Sequence, residues 1–231
     1  MTRSESLVLF DIDGTLLRGA AQHHRDALIE GIRRITGHET TLDGISTSGM
    51  LDRDLIALML RACGESESRI QRFLKRIVAE CQACYNANCV PDLTPFVCPG
   101  VRETLQNLRS HNAVIGIVSG NLSAIGWKKM ERAGLREHFS VGAFAEDGRT
   151  RARLARIAVS RARSQGLISK RARITLVGDH TNDIAAAKAN GFIAVAVRTG
   201  LSALSDLEAA QPDILIANLS ELDIRKLLVM P

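Results

Sequence analysis

Four short apolar runs along the chain each end in polar or flexible residues. In chain order, residues 7–10 precede Asp11-Ile12-Asp13-Gly14, residues 114–118 precede Ser119-Gly120-Asn121, residues 174–177 precede Gly178-Asp179, and residues 192–197 precede Arg198-Thr199-Gly200. Continuous apolar runs of this length are typical of strands that are buried on both faces of a parallel sheet. We therefore expect four such strands.

Helix-like stretches separate the later runs, at residues 101–110, 122–133, 154–165 and 184–190. Alternation of strands and helices predicts an α/β fold in three layers, with a parallel sheet covered by helices on both faces. Residues 18–96 interrupt this alternation with helix-like stretches at 24–36, 53–62 and 67–84 and no convincing strand. The pattern predicts two domains, a core of residues 1–17 and 97–231 and an inserted all-α domain of residues 18–96.

Composition places the 231-residue chain among ordinary globular proteins, with 45% apolar and 24% charged residues. The net charge of +5 comes from one region, because residues 149–173 carry nine Lys or Arg and no acid. The remaining residues carry 21 basic and 25 acidic side chains. The basic stretch lacks aromatic residues for base stacking, so a solvated helix face is favoured over a nucleic-acid partner.

The cellular address predicted from the sequence is the cytosol. No apolar run reaches the ~18 residues needed to span a bilayer, the first residues do not resemble a signal peptide, and five cysteines suit a reducing compartment. No membrane partner is expected. Cys81, Cys84 and Cys89 could form a zinc or iron–sulfur site, but their spacing favours buried or half-buried thiols.

The acids that follow the first and third runs are candidates for a metal site. On an extended strand end, Asp11 and Asp13 would point to the same side, and Asp179 and Asp183 follow another strand. The carboxyl ends of parallel strands meet at one edge of the sheet, where ligands bind. Neighbouring carboxylates repel each other unless a cation or a proton lies between them. The four acids thus predict a hard-oxygen site suited to Mg²⁺, with water and a substrate phosphate as further ligands.

Other polar residues are candidates for holding a phosphate group. Ser119 offers a hydroxyl, and Gly120 and Asn121 offer a flexible backbone and an amide at the end of the second run. Arg151 is either the site cation, with Arg149 and Lys129 as rivals, or part of a solvated helix face.

Two positions of the insert are further candidates. His23 and His24 could reach the substrate, but we expect them to be surface or hinge groups. The segment Thr47-Ser48-Gly49-x-x-Asp52 could approach the core and determine specificity, or could simply cap a helix.

These motifs resemble those of the haloacid dehalogenase-like (HAD) hydrolase superfamily. The resemblance rests on Asp11-Ile12-Asp13-Gly14-Thr15-Leu16, the run into Ser119, and Gly178-Asp179-x-x-x-Asp183, and it covers the whole predicted core. The helical insert stands where that superfamily has its cap domain. Ser119-Gly120-Asn121-Leu122 and Ala133-Gly134-Leu135 are most similar to the phosphoglycolate-phosphatase-like members.

The resemblance implies Mg²⁺-dependent hydrolysis of a small phosphorylated metabolite. Asp11 would be the nucleophile that forms an aspartyl-phosphate, and Asp13 would be the general acid and then the general base. Mg²⁺ would be held by the Asp11 carboxylate, the Asp13 backbone carbonyl and Asp179, with Asp183 directly or through water. Ser119 and neighbouring amides would hold the phosphoryl group. The second aspartate argues for phosphate esters over carbon–halogen bonds.

The sequence departs from this superfamily at one position and leaves two alternatives open. The usual Lys ahead of the last motif is missing, since no Lys lies between Lys129 and Lys170, and Arg151 has a suitable position. A phosphomutase would use the same core motifs. A non-catalytic phospho-acceptor or binding module would use Asp11 alone, and Asp13 and the large insert argue against it.

Overall fold

A sheet of six parallel strands forms the centre of the core. The computed structural model describes residues 3–45, 47 and 49–229. The strands are β1 (Ser4–Phe10), β2 (Val114–Val118), β3 (Val141–Ala143), β4 (Ile168–Gly178), β5 (Ile193–Val197) and β6 (Ile214–Ile216). Their order is β3-β2-β1-β4-β5-β6. All neighbours in the sheet are parallel, and β1 lies between β2 and β4.

Helices cover both faces of this sheet. The helices are α1 (Gln22–Thr36), α2 (Asp52–Ala62), α3 (Glu67–Asn88), α4 (Val101–Ser110), α5 (Ser123–Arg132), α6 (Arg151–Ser164), α7 (Thr181–Lys188), α8 (Leu204–Ala209) and α9 (Ile224–Val229). Alternate side chains of β1 point to opposite faces. Leu7 and Leu9 share a core with residues of α6 and α7. Val8 and Phe10 share a second core with residues of α4 and α5. The predicted three-layer α/β fold is confirmed.

Two strands were missed because both are short edge strands. β3 and β6 have three residues each and pair on one side only. β3 consists of Val141, Gly142 and Ala143, which form no long apolar run. α6 begins three residues earlier than expected, and Thr150 caps it by accepting a hydrogen bond from the Arg153 amide. This earlier start makes Arg151 the first residue of the helix.

The insert consists of α1, α2 and α3, with no strand among its described residues. The two connections between the insert and the core run side by side, since Leu17 and Val97 form an antiparallel bridge. Gly31 allows close packing of α1 on α3, because a Cβ there would lie 2.7 Å from the Cys81 backbone nitrogen. Cys81 and Cys84 are buried and Cys89 is half-buried, as expected for thiols of the insert. In the described part of the chain, no helix is long and apolar enough to cross a membrane.

The basic stretch forms mainly an exposed face of α6 and of the first half of β4. Arg153, Arg156 and Arg163 are exposed, whereas Arg151 is 7% exposed. Arg161 pairs with Asp147 at 2.6 Å. The stretch is therefore a solvated helix face that contains one buried arginine.

Replacing Gly31 with Ala is expected to destabilise the protein. In an open helix this change stabilises by about 1 kcal/mol, but here the added carbon overlaps the backbone of α3. We expect a loss of about 1–3 kcal/mol in the free energy of unfolding, as for other overpacked sites. Urea unfolding measures the change. The exposed Lys75→Ala on α3 is the control, with a change within about 0.5 kcal/mol. A more stable Gly31→Ala protein would contradict the packing described here.

Candidate active site

The candidate site lies where the strand order reverses. β1, β2 and β3 proceed toward one edge of the sheet, and β4, β5 and β6 toward the other, so the switch point is between β1 and β4. Asp11 and Asp179 directly follow these two strands. The Asp11 amide donates a hydrogen bond to the Val177 carbonyl at 2.9 Å, which holds the two strand ends together. Parallel sheets bind ligands at such crevices.

Three carboxylates meet at this point. Asp11, Asp179 and Asp183 each offer an oxygen within 4.8 Å of the others. All three are buried, at 5%, 5% and 1% exposure. Asp179 accepts a hydrogen bond from the Thr15 hydroxyl at 2.9 Å. Asp183 lies in the first turn of α7, and its Oδ2 accepts from the His180 amide at 3.2 Å.

Among the described residues, positive charge offsets only part of the negative charge of these carboxylates, through the single cation Arg151. Burial and the negative charges of Asp11 and Asp183 raise the pKa of Asp179 well above its ordinary value. Burial also raises the pKa of Asp183, against the opposing effect of Arg151. The buried Oδ1 of Asp183 accepts no hydrogen bond from the described residues. A hard divalent cation would satisfy this oxygen and offset the repulsion, so the donor set fits a metal.

Arg151 is the cation that faces these acids. Its Nη1 donates to Asp11 Oδ1 at 2.9 Å. Its Nε lies 3.3 Å from Asp183 Oδ1, without the alignment of a hydrogen bond. Burial lowers the pKa of Arg151, but the charges of Asp11 and Asp183 raise it above its ordinary value. The guanidinium therefore stays charged. Its rival Arg149 is exposed.

Two glycines allow the backbone to approach Asp179. A Cβ at Gly14 or at Gly200 would overlap the Asp179 carboxylate. Gly14 has a φ of +88°, which an L side chain rarely adopts. The Thr199 hydroxyl donates to the Gly14 carbonyl and joins the end of β5 to the first motif. Gly200 was not predicted as a site residue, although it follows the fourth apolar run.

The Asp13 carboxylate is not part of the group of three clustered acids, although it lines the same cavity. Lys129 Nζ donates to its two oxygens at 2.8 and 2.6 Å. The Asn121 amide donates to Oδ2 at 2.7 Å. Desolvation raises the pKa of Asp13, but the charge of Lys129, the nearby His24 and the hydrogen bonds from Lys129 and Asn121 together outweigh it and hold this pKa below the ordinary value. The third candidate cation, Lys129, thus lies at the site but pairs with Asp13 instead of Asp11.

The loop of residues 119–122 closes the site beside Asp11. Ser119 is fully buried, and its amide donates to the Ala143 carbonyl at 3.1 Å. The Gly120 carbonyl accepts from the Asp52 amide of the insert at 2.8 Å. A Cβ at Gly120 would overlap the Met50 carbonyl, so glycine allows the insert to approach the loop.

The expectation that His24 is a surface or hinge group was wrong. His24 is 8% exposed, and its Nε2 lies 2.8 Å from Asp52 Oδ2. The burial follows from its position on the inner face of α1, which the spacing of polar residues alone did not indicate. Asp52 belongs to the predicted segment 47–52 and does contact the core. Ser48 of that segment lies outside the described residues.

A cavity of about 340 Å³ connects these groups with the insert. Its polar lining includes Asp11, Asp13, Ser119, Arg151 and Asp179. The wall from the insert is mainly apolar, with Leu28, Leu42, Met50 and Leu55, and also includes His24 and Arg25. A cavity of this volume suits a small molecule.

Comparison with known proteins agrees with this geometry. A model of the haloacid dehalogenase-like hydrolase family matches residues 6–191. The phosphoglycolate phosphatase of Synechococcus elongatus is 31% identical over 228 residues, covering 93% of this chain and 94% of its own.

Solved structures share the fold along nearly the whole chain. A β-phosphoglucomutase from Clostridium difficile superposes with a TM-score of 0.68 at 17% identity, covering 96% of this chain and 94% of its own. A haloacid dehalogenase-like family hydrolase from Streptococcus pneumoniae gives a TM-score of 0.61 at 16% identity, covering 94% and 95%. The resemblance seen in the motifs is confirmed. The chain therefore belongs to the haloacid dehalogenase-like hydrolases and is an enzyme related along nearly its whole length to a phosphatase.

Proposed function

We propose that this enzyme hydrolyses a small phosphate monoester through an aspartyl-phosphate on Asp11. The observation that carries the proposal is the position of Asp11, whose carboxylate lines the cavity, accepts a hydrogen bond from Arg151 and lies beside Asp179 and Asp183. Similarity to a phosphoglycolate phosphatase supports the reaction class. The free thiols of all five cysteines support a reducing compartment such as the cytosol.

Asp11 is suited to attack phosphorus. Arg151 donates to Oδ1, which fixes the carboxylate and leaves Oδ2 for the new bond to phosphorus. As that bond forms, the bond from phosphorus to the leaving oxygen breaks. Arg151, the hydroxyl of Ser119 and the amide of Gly120 would donate to the phosphoryl oxygens, where charge develops.

Asp13 would move the protons of both steps. It would give a proton to the leaving oxygen and then accept one from the water that attacks the aspartyl-phosphate, releasing phosphate and restoring Asp11. The second role suits the ionised carboxylate that Lys129 stabilises. In the first step, the negative charge of the bound substrate offsets Lys129 and favours the protonated form of Asp13.

Mg²⁺ is the cation we propose for the carboxylate group. Asp11, Asp179 and Asp183 would hold it, together with the backbone carbonyl of Asp13 implied by the family motif. When bound, it supplies positive charge that lowers the repulsion between the carboxylates and the phosphate. The oxygen donors and their burial support this choice.

The helical insert would act as a cap over this site. Its residues form one wall of the cavity, and its two connections lie side by side at Leu17 and Val97. Enclosure excludes water from the first step and excludes macromolecular substrates. We therefore propose residues 18–96 as a cap domain on a core of residues 1–17 and 97–231.

Replacing Asp11 with Asn is expected to abolish phosphate release. The amide cannot form the aspartyl-phosphate, so turnover of p-nitrophenyl phosphate with Mg²⁺ should fall by about 10³-fold or more. Detection of free phosphate measures the loss and separates hydrolysis from a phosphomutase, which would return the group to a sugar. The exposed Asp54→Asn is the control. Full turnover by Asp11→Asn would refute the nucleophile.

Arg151 and Arg149 form a matched pair for testing the site cation. Arg151→Met removes the donor to Asp11, and we expect kcat/KM to fall by about 10²-fold, as for the loss of other donors to a reacting oxygen. Arg149→Met removes an exposed charge two residues away, and activity should stay within about twofold. Steady-state kinetics with p-nitrophenyl phosphate gives both values. Equal effects of the two changes would contradict the assignment of Arg151.

The affinity for Mg²⁺ is expected to rise with pH. The raised pKa values of Asp179 and Asp183 mean that the metal-free protein holds protons on these carboxyls above the ordinary pKa of about 4. The metal must displace those protons, so its apparent affinity should increase by up to about tenfold per pH unit for each proton displaced.

Calorimetry at pH 6 and pH 8, in buffers with different ionisation enthalpies, measures the affinity and the protons released together. Asp183→Asn is the comparison, because it removes one of the two raised carboxyls and should release fewer protons. Binding that is independent of pH and releases no protons would contradict this account.

A further inference from the structure

A row of three buried polar side chains, Asp52, His24 and Lys129, connects the insert with Asp13. Asp52 Oδ2 lies 2.8 Å from His24 Nε2. His24 Nδ1 lies 3.2 Å from Lys129 Nζ, and Lys129 contacts both carboxylate oxygens of Asp13. Asp52 and His24 belong to the insert, whereas Lys129 and Asp13 belong to the core. The row therefore crosses from one to the other.

The hydrogen bonds from Lys129 through His24 to Asp52 are all donated in the same direction. A charged lysine only donates, so His24 Nδ1 must accept from Lys129. The ring proton is then on Nε2 and is donated to Asp52. This tautomer of His24 is assigned from the two partners of the ring. With it, each hydrogen bond in the row has one donor and one acceptor.

Because Lys129 is buried, it cannot exchange its partners in the row for water. Lys129 is fully buried, and among the described residues its ammonium pairs with the carboxylate of Asp13 alone. An unpaired ammonium at such a place is costly, so Lys129 must keep its partners. The Asp13 side chain itself is 37% exposed and would otherwise be free to turn toward solvent.

Asp52 also connects this row to the loop that is proposed to hold the phosphoryl group. Its Oδ2 accepts from the Leu122 amide at 2.7 Å, and its own amide donates to the Gly120 carbonyl at 2.8 Å. The contacts of Asp52 thus fix the position of loop 119–122. Through His24 and Lys129 they also fix the position of the Asp13 side chain.

We propose that Lys129, His24 and Asp52 are positioning residues that hold the Asp13 carboxylate toward the water that hydrolyses the aspartyl-phosphate. The inference rests on the proposed function and adds the insert to its second step. In that step Asp13 accepts a proton from the water as the water oxygen bonds to phosphorus and the bond to Asp11 breaks. The first step on an aryl phosphate needs no proton from Asp13, because its leaving group departs as a stable anion.

Pre-steady-state kinetics with p-nitrophenyl phosphate tests this role. Asp52→Asn keeps an acceptor for the Leu122 amide but loses the charge that orients His24. We expect kcat to fall about tenfold while kcat/KM, which reports the first step, stays within about threefold. A burst of about one p-nitrophenolate per enzyme and acid-trapped phosphoenzyme should appear. His24→Asn should behave likewise, and the double variant should be no slower than either single variant.

The pair His38–Glu65 provides the matched control. It has the same 2.8 Å separation and also belongs to the insert, but neither residue lines the cavity. Glu65→Gln should keep wild-type kcat and give no burst. If Asp52→Asn and His24→Asn lower kcat and kcat/KM together without a burst, the positioning role is wrong.

The two proposals fail in different ways. If the Asp11→Asn variant releases phosphate as fast as the wild-type enzyme, both the proposed function and this inference are wrong. If the Asp11→Asn variant is inactive but the Asp52→Asn and His24→Asn variants show no burst, only the inference is wrong. Lys129→Met, checked for a native unfolding transition, should show the same burst, and Lys129→Arg should restore part of kcat.

Discussion

Buried negative charge at the carboxyl edge of the sheet is the constraint on which the rest of the site depends. Asp11, Asp179 and Asp183 approach within 4.8 Å of one another and are almost inaccessible to water. Arg151 offsets part of this charge. Burial and the neighbouring negative charges still raise the pKa values of Asp179 and Asp183. Such a site holds protons or a cation.

Two buried cations with different partners offset the negative charge of the acids at this site. Arg151 faces the clustered acids, and Lys129 faces Asp13. The two aspartates of the first motif therefore occupy different electrostatic environments although one residue separates them. Groups with different environments can take different roles in one reaction. In the proposed reaction, the nucleophile Asp11 and the proton carrier Asp13 are separated in this way.

The insert is held to the core by polar contacts as well as apolar ones. Asp52 accepts from the Leu122 amide, and Gln82 Oε1 accepts from the Ala124 amide at 2.7 Å. These amides belong to the start of α5, where a helix has donors without partners inside the helix. Hydrogen bonds are directional, so they fix the position of the insert relative to loop 119–122 more narrowly than apolar packing does.

The local pattern of the sequence determined the strands that carry the chemistry and the acids at their ends. β2 has the predicted bounds, and Asp11, Asp179 and Asp183 come together because parallel strands end at one edge. The short strands β3 and β6 were not determined in this way, because three residues give too little periodicity.

Only the tertiary structure decided which side chains meet across long separations. Lys129 and Asp13 are 116 residues apart, and His24 and Asp52 are 28 apart. Their contacts depend on the rotation of α1 and α5 about their axes and on where the insert rests. Those quantities are set by packing between elements, and no spacing within one element encodes them. The acids that meet at the sheet edge could thus be read from the chain, whereas the contacts of Asp13 with Lys129 and of His24 with Asp52 could not.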